Sequence, residues 1–244
     1  MIGGRDTVVC LFDDSGNLFD DWIEVGYKVL CVDVIPLEMR VQRDGVTHLV
    51  GDLRFPFNLP IEKDKVAFVS AHPPCDNLAV SGARWFKGKG LRALSESISM
   101  FATAAEYCDQ SGAPYMIENP ISSISSYWRK PDHIYSPWQY SGYDGDDYYT
   151  KKTCLWTGGG FVMPPYNYDE SRYKQGCVEH KLVRKKYGSK SGKLVQSKQP
   201  NYPDARIHMA TGEMQDYLRS VTPKGFGRAV FLSNCEAADF SNFA

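Results

Sequence analysis

Residues 71–75 read Ala-His-Pro-Pro-Cys, and residues 117–120 read Ile-Glu-Asn-Pro. A cysteine directly after Pro-Pro is held in one orientation, because proline fixes φ and removes an amide donor. As a thiolate that sulfur is a nucleophile, provided a neighbouring cation favours the charged form. A nearby carboxyl group can protonate a ring that takes up electrons, if it lies within hydrogen-bond reach of that ring. Cys75 and Glu118 together therefore point to addition of a thiolate to an electron-poor ring. Taken singly, Cys75 has a packing role as its alternative, and Glu118 a helix cap or surface site. Arg84, His72, Lys151 and Lys152 are the candidate cations for the thiolate.

These residues need strands to hold them. Residues 7–12 form a short apolar run, followed by a turn at Asp13-Asp14-Ser15-Gly16. Phe19, Trp22, Ile23 and Val25 have the spacing of a short amphipathic helix that ends at Gly26. Residues 28–34, 47–52, 65–71 and 115–118 read as further strands, and 91–111 as a helix stopping at Gly112. Alternation of strand and helix with nearly continuous apolar strands argues for an α/β fold with a parallel sheet covered on both faces. Ligand chemistry in such sheets gathers beyond the carboxyl ends of the strands. Those ends carry Phe12-Asp13-Asp14, Asp33, Asp52, Cys75 and Glu118. Residues 121–150 read as long loops, and 151–156 as one more short strand before Gly158-Gly159-Gly160.

Composition narrows the class. The chain has 244 residues, 43% hydrophobic and 23% charged, enough for one large domain or a domain with a small appendage. Its formal net charge of −1 gives no global signal for nucleic acid. The seven cysteines are scattered, with no CxxC pair, which reads as a reducing, cytoplasmic compartment without a disulfide framework. The amino terminus lacks a signal-peptide apolar core, no run has membrane-spanning length, and no obligate protein partner is evident. Asp33 and Asp52 each close a strand, where an acid accepts from ribose hydroxyls or caps a helix. His72, His133, His180 and His208 are too dispersed for a metal site, and Cys177 with His180 lacks persuasive partners. No metal is expected. Between Arg172 and Lys198 lie nine Lys or Arg and one acid, Glu179, with Tyr173 and Tyr187 interleaved. That pattern fits contact with nucleic-acid phosphates, or a solvated loop.

With these residues assembled, the chain resembles the C5-cytosine DNA methyltransferases, most closely the compact members encoded by phages. Pro73-Pro74-Cys75 and Glu118-Asn119 are similar to the family's two most specific motifs, in the same order. The resemblance covers roughly 7–160 and, weakly, the tail from Arg219 to Asn234, where Gly225–Val230 is similar to a terminal motif. It implies a Rossmann-like, S-adenosylmethionine-dependent fold, with 1–160 and 219–244 as the catalytic domain. Residues 161–218 would then be a small basic target-recognition or lid region. It further implies that Phe12, Asp14, Gly16, Asp33, Val34, Asp52, Leu53 and Pro73 hold S-adenosylmethionine. Pro74, Asn119, Lys152 and Thr153 would line the site of a cytosine flipped out of DNA. Cys75 would attack carbon 6, Glu118 would engage ring N3, and carbon 5 would take the methyl group. Three differences stand out: Phe12-Asp13-Asp14-Ser15-Gly16 replaces a Phe-x-Gly-x-Gly motif, Asp76 replaces a glutamine, and the recognition region is short. Other uses of the same residues remain open. They are the same Cys-Glu chemistry on a free pyrimidine nucleotide or with another donor, a catalytically silent DNA-binding module, and an N-methyltransferase on adenine or cytosine, a class that normally has an aromatic residue where Cys75 stands.

Overall fold

A computed structural model of the chain describes residues 4–13, 16–40, 42–56, 58–144, 147, 151–168 and 222–236. The basic stretch 172–198, Asp14, Cys177, His180 and His208 lie outside the described residues. Two compact units make up the chain. One comprises Met1–Ile134, Thr153–Met163 and Val230–Ala244, and the other Tyr135–Lys152 and Pro164–Ala229.

The strands are β1 (Thr7–Leu11), β2 (Lys28–Asp33), β3 (Val46–Val50), β4 (Val66–Ala71), β5 (Tyr115–Pro120), β6 (His133–Tyr135) and β7 (Thr153–Gly158). They form one sheet in the order β3-β2-β1-β4-β5-β7-β6. β1, β2, β3, β4 and β5 pair in parallel, as their apolar runs suggest. β7 pairs antiparallel with β5, so the sheet is mixed rather than wholly parallel. The fold is α/β and Rossmann-like, the class implied by the resemblance to methyltransferases. Residues 121–150 are less loop-like than their sequence, because they contain the helix α3 (Ile124–Tyr127) and β6. A three-residue strand is too short to show a two-residue alternation.

Both faces of the sheet are covered. On one face Val9, Leu11, Leu30, Val32, Val69, Ala71, Tyr115 and Ile117 share a buried core with Phe101, Ala104 and Cys108 of α2 (Phe86–Ser111). α2 has a non-helical residue at Gly90 (φ 80°, ψ 174°), a conformation that L side chains resist. Regular helix therefore begins at Leu91, where the sequence periodicity starts. Gly112 closes it in the left-handed region at φ 65°. On the opposite face the short α1 (Asp20–Glu24) inserts Trp22, which lies 5.0 Å from Tyr27, 5.4 Å from Phe68 and 5.5 Å from Phe231, centroid to centroid. Phe231 belongs to the helix α4 (Lys224–Asn234). The second unit has its own aromatic cluster, in which Tyr135 stacks on Phe226 at 3.9 Å and Tyr140 meets both rings edge-on.

Among the described residues no helix is long and apolar enough to cross a membrane. Trp22 is fully buried and touches four other rings. Trp22→Ala is therefore expected to destabilise the fold by about 3–5 kcal/mol, read as a lowered urea midpoint. An unchanged midpoint would show that this face is not a packed core.

Candidate functional site

From β1 the chain winds through β2 to β3 on one side, then returns to β4 on the other side of β1. The strand order therefore reverses between β1 and β4, and a crevice at that switch point is where open α/β sheets bind ligands. Phe12 and Asp13 leave the carboxyl end of β1, and His72-Pro73-Pro74-Cys75 leaves that of β4. Glu118 and Asn119 lie in the carboxyl half of the neighbouring strand, β5.

The turns after β4 and in β5 are joined at several points. Asn119 Nδ2 donates to the Pro73 carbonyl at 2.8 Å, in a buried position. Asn119 Oδ1 is buried and has no hydrogen-bond partner among the described residues. His72 Nδ1 lies 3.2 Å from Glu118 Oε2, and His72 Nε2 lies 2.7 Å from Ser70 Oγ. Glu118 is only 7% exposed. Further along, the Ser123 amide donates to the Leu78 carbonyl and the Val80 amide to the Ile121 carbonyl, both at 2.9 Å.

Cys75 itself is half-buried. Its carbonyl accepts the amides of Leu78 at 2.9 Å and Ala79 at 2.8 Å, which closes a tight turn. Asn77 Nδ2 ties that turn to Ser97 Oγ of α2 at 2.9 Å, and Lys89 Nζ donates to the Asp76 carbonyl at 2.7 Å. A nucleophile needs both a fixed backbone and an approach path. Cys10, Cys31, Cys108 and Cys154 are buried, whereas Cys75 and Cys235 are partly exposed. Of the four candidate cations, His72 is turned toward Glu118 and Ser70. Arg84 is exposed and stacked 4.9 Å above the Trp85 ring. Lys151 and Lys152 belong to the second unit, half-buried and exposed respectively. Thr153 is buried at the start of β7, and Pro73 and Pro74 are buried and half-buried.

At the end of β1, Phe12 takes φ 58°, a left-handed conformation that costs a bulky residue about 1–3 kcal/mol. Asp13 closes the following turn from both sides. Its Oδ2 accepts from Cys10 Sγ at 3.2 Å, and its Oδ1 accepts the Gly16 amide at 3.3 Å. Gly16 is buried, and a Cβ there would meet Cys31 Sγ at 3.1 Å. Although histidine spacing in the sequence argues against a metal site, the fold brings one ligand atom each of Cys10, Asp13 and His72 within 4.8 Å of one another. Burial, with Cys31 and Asp13 alongside, pushes the Cys10 thiol well up, so the thiolate a metal would require is opposed. Both His72 nitrogens already face hydrogen-bond partners. Cys10 is bonded to Asp13 within the β1 turn, His72 to Ser70 and Glu118, and the His72 amide donates to the Leu11 carbonyl at 2.9 Å.

At the ends of β2 and β3, Asp33 Oδ1 accepts the Ile35 amide at 3.1 Å, and Val34 is 64% exposed. Arg40, which carries no functional signal in the sequence, is buried there. It donates to the carbonyls of Asp33 at 2.6 Å and Ile35 at 2.9 Å, and so shapes the chain around Val34. Asp52 is held by Arg54, with Nε at 2.9 Å from Oδ1 and Nη2 at 2.6 Å from Oδ2. That guanidinium lowers the Asp52 carboxyl below its ordinary value. Leu53 is buried. Asp33, Val34 and Asp52, which could accept hydrogen bonds from and pack against an adenosine group, lie at the carboxyl ends of β2 and β3.

No family model matches the chain, and no curated protein matches it. Among solved structures, the crystal structure of the glycopeptide N-methyltransferase MtfA is similar at 14% identity and a TM-score of 0.28. The match covers 53% of this chain and 51% of that one. The chain thus spans about half the length of that neighbour, and a likeness this slight carries no argument about function.

Replacing Asn119 by Ala takes the side-chain donor from a buried carbonyl and frees the Cys75 turn from β5. The expected loss is about 1–3 kcal/mol, measured by denaturant unfolding. A stability unchanged within error would mean that the two turns are held by other bonds.

Proposed function

We infer that this protein transfers a methyl group from S-adenosylmethionine to carbon 5 of cytosine in DNA, with Cys75 as nucleophile and Glu118 as general acid. The observation that carries this reading is the joining of the two turns. The half-exposed cysteine and the buried glutamate leave adjacent parallel strands, and Asn119 bonds one turn to the other. Glu118 and Cys75 thus stand at one edge of the sheet, next to the switch point.

The chemistry follows from the residues. Cys75 Sγ, as the thiolate, forms a bond to carbon 6 of the base. The electron pair displaced from the 5,6 double bond is relayed through carbon 4 to N3, and N3 takes the proton of the Glu118 carboxyl group. Carbon 5 is then electron-rich. S-adenosylmethionine, when bound by Asp33, Val34 and Asp52, supplies an electrophilic methyl group. Once carbon 5 carries its new substituent it gives up its proton to solvent water or hydroxide. The pair from that C–H bond restores the 5,6 double bond, the S–C6 bond breaks, and the N3 proton returns to Glu118. The Asp52–Arg54 ion pair is exposed, and pairs of that kind exchange readily with a competing ligand.

The surface beside Cys75 supports DNA as the substrate. Residues 83–92 carry Arg84, Lys87, Lys89 and Arg92 with no acid, and all of the run except Phe86 is exposed. Trp85 is 60% exposed and Leu91 is 85% exposed. Cations that reach phosphates and an exposed ring that stacks on bases are what a nucleic-acid surface offers. A target base must leave the duplex stack before a thiol can reach carbon 6.

Two outcomes test this reading. Nucleosides from DNA incubated with the protein and S-adenosylmethionine should contain new 5-methylcytosine by mass spectrometry, and Cys75→Ser should abolish it. Absence of any modified cytosine with folded, cofactor-bound protein would contradict the assignment. Replacing Lys87, Lys89 and Arg92 together by Ala should weaken DNA binding and flatten its salt dependence by about 0.9 in log–log slope for each phosphate no longer neutralised. An unchanged slope would place these cations off the DNA.

A further inference from the structure

The turn before the nucleophile holds a histidine for which the reaction above has no use. We propose that His72 is a positioning residue for Glu118: it fixes one carboxyl oxygen and stabilises the carboxylate that appears when the proton moves to the base. This inference rests on the function proposed above.

Three observations carry it. His72 lies between two groups that settle its ring, with Ser70 Oγ 2.7 Å from Nε2 and Glu118 Oε2 3.2 Å from Nδ1. Both partners are out of water, Ser70 fully buried and Glu118 only 7% exposed. Ser70 and His72 are two apart along the direction of β4, so they share a face, and Glu118 reaches the same face from β5.

The chemistry is directional. With the Ser70 hydroxyl donating to Nε2, the ring proton resides on Nδ1 and is donated to Glu118 Oε2. Oε1 would then carry the acidic proton to N3 of the base. As that proton departs, negative charge spreads to Oε2, and the Nδ1–H bond strengthens against it. No proton need cross His72. The proton given to N3 comes from Glu118 and returns there when the S–C6 bond breaks. A buried carboxylate lacking this donor would be costly to form, which would slow thiolate addition without altering how DNA is gripped. Cys10 and Asp13 also lie within 4.8 Å of a His72 nitrogen, on the β1 side.

The test is the rate at which the protein is trapped covalently by DNA containing 5-fluorocytosine, since fluorine at carbon 5 cannot leave as a proton. At saturating DNA and S-adenosylmethionine, His72→Ala should trap about 10- to 100-fold more slowly than wild type, a fraction of what a general acid contributes. DNA affinity should be unchanged. His72→Asn, which keeps an N–H near the Nδ1 position, should recover most of the rate, a rescue that a merely structural role does not give. Ser70→Ala preserves shape in the core and removes only the far end of the chain of bonds. It should trap several-fold more slowly, and it carries the test with His72→Asn if His72→Ala fails to fold. Wild-type rates in both His72→Asn and Ser70→Ala, with a wild-type rate in any folded His72→Ala, would overturn the role of His72 and leave the proposed function standing. A wild-type protein that is never trapped would overturn both.

Discussion

The Asn119 side chain donates to the Pro73 carbonyl at 2.8 Å, in a position closed to water. Each end of that bond is fixed by the parallel pairing of β4 with β5, which sets Ala71 beside Ile117 two residues earlier on each strand. A neutral hydrogen bond contributes little net stability, but removing a partner from a buried carbonyl is expensive. The bond therefore acts as a geometric constraint. While it stands, the rigid Pro-Pro turn cannot drift from β5, and Cys75 and Glu118 keep one relation to each other. The Ser123–Leu78 and Val80–Ile121 backbone bonds repeat the constraint a few residues further on. They make the Cys75 turn part of the frame of the sheet.

The same strands serve two purposes by alternation. Val9, Leu11, Val69, Ala71 and Ile117 point into the α2 core. The intervening positions give the other face Cys10, which is in register with both Cys31 and Ser70, and beyond Ser70 the row continues to His72 and Glu118. Toward the amino ends of the strands that face is aromatic, packed around Trp22. Toward the carboxyl ends it turns polar. A thiol, a hydroxyl, an imidazole and two carboxylates meet where the strand order reverses, and each finds a partner among the others. Burial that would be costly for any one of them alone is offset by this mutual hydrogen bonding.

How much of this is legible in the residues alone depends on range. Apolar runs bounded by Gly, Pro and Asp locate six of the seven described strands to within a residue or two, since that pattern is local. Pro73-Pro74-Cys75 and Glu118-Asn119 are legible as chemistry because their residue types are unusual at strand ends. β6 is not legible, being too short to alternate. The reversed direction of β7 is not legible either, because Thr153–Gly158 reads equally well either way. Strand register is also invisible in a sequence. His72 can thus be named only as a cation near Cys75, whereas the fold turns it toward Glu118 on another strand. Asp52 reads as a ligand for an adenine amino group, and in the structure it is gripped by Arg54, two residues away. Arg40 gives no signal, since a lone arginine in a loop does not reveal that it will be buried against main-chain carbonyls.

Cys75 Sγ is the proposed nucleophile because, among the described cysteines, it is the one carried by the joined turns. The direct measurement is peptide mass spectrometry of the covalent complex formed with 5-fluorocytosine DNA and S-adenosylmethionine. A pyrimidine adduct is expected on the peptide containing Cys75 alone, with the fluorine retained and a methyl group added at carbon 5. An adduct on a different cysteine, or a protein that modifies cytosine without forming any adduct, would contradict this assignment.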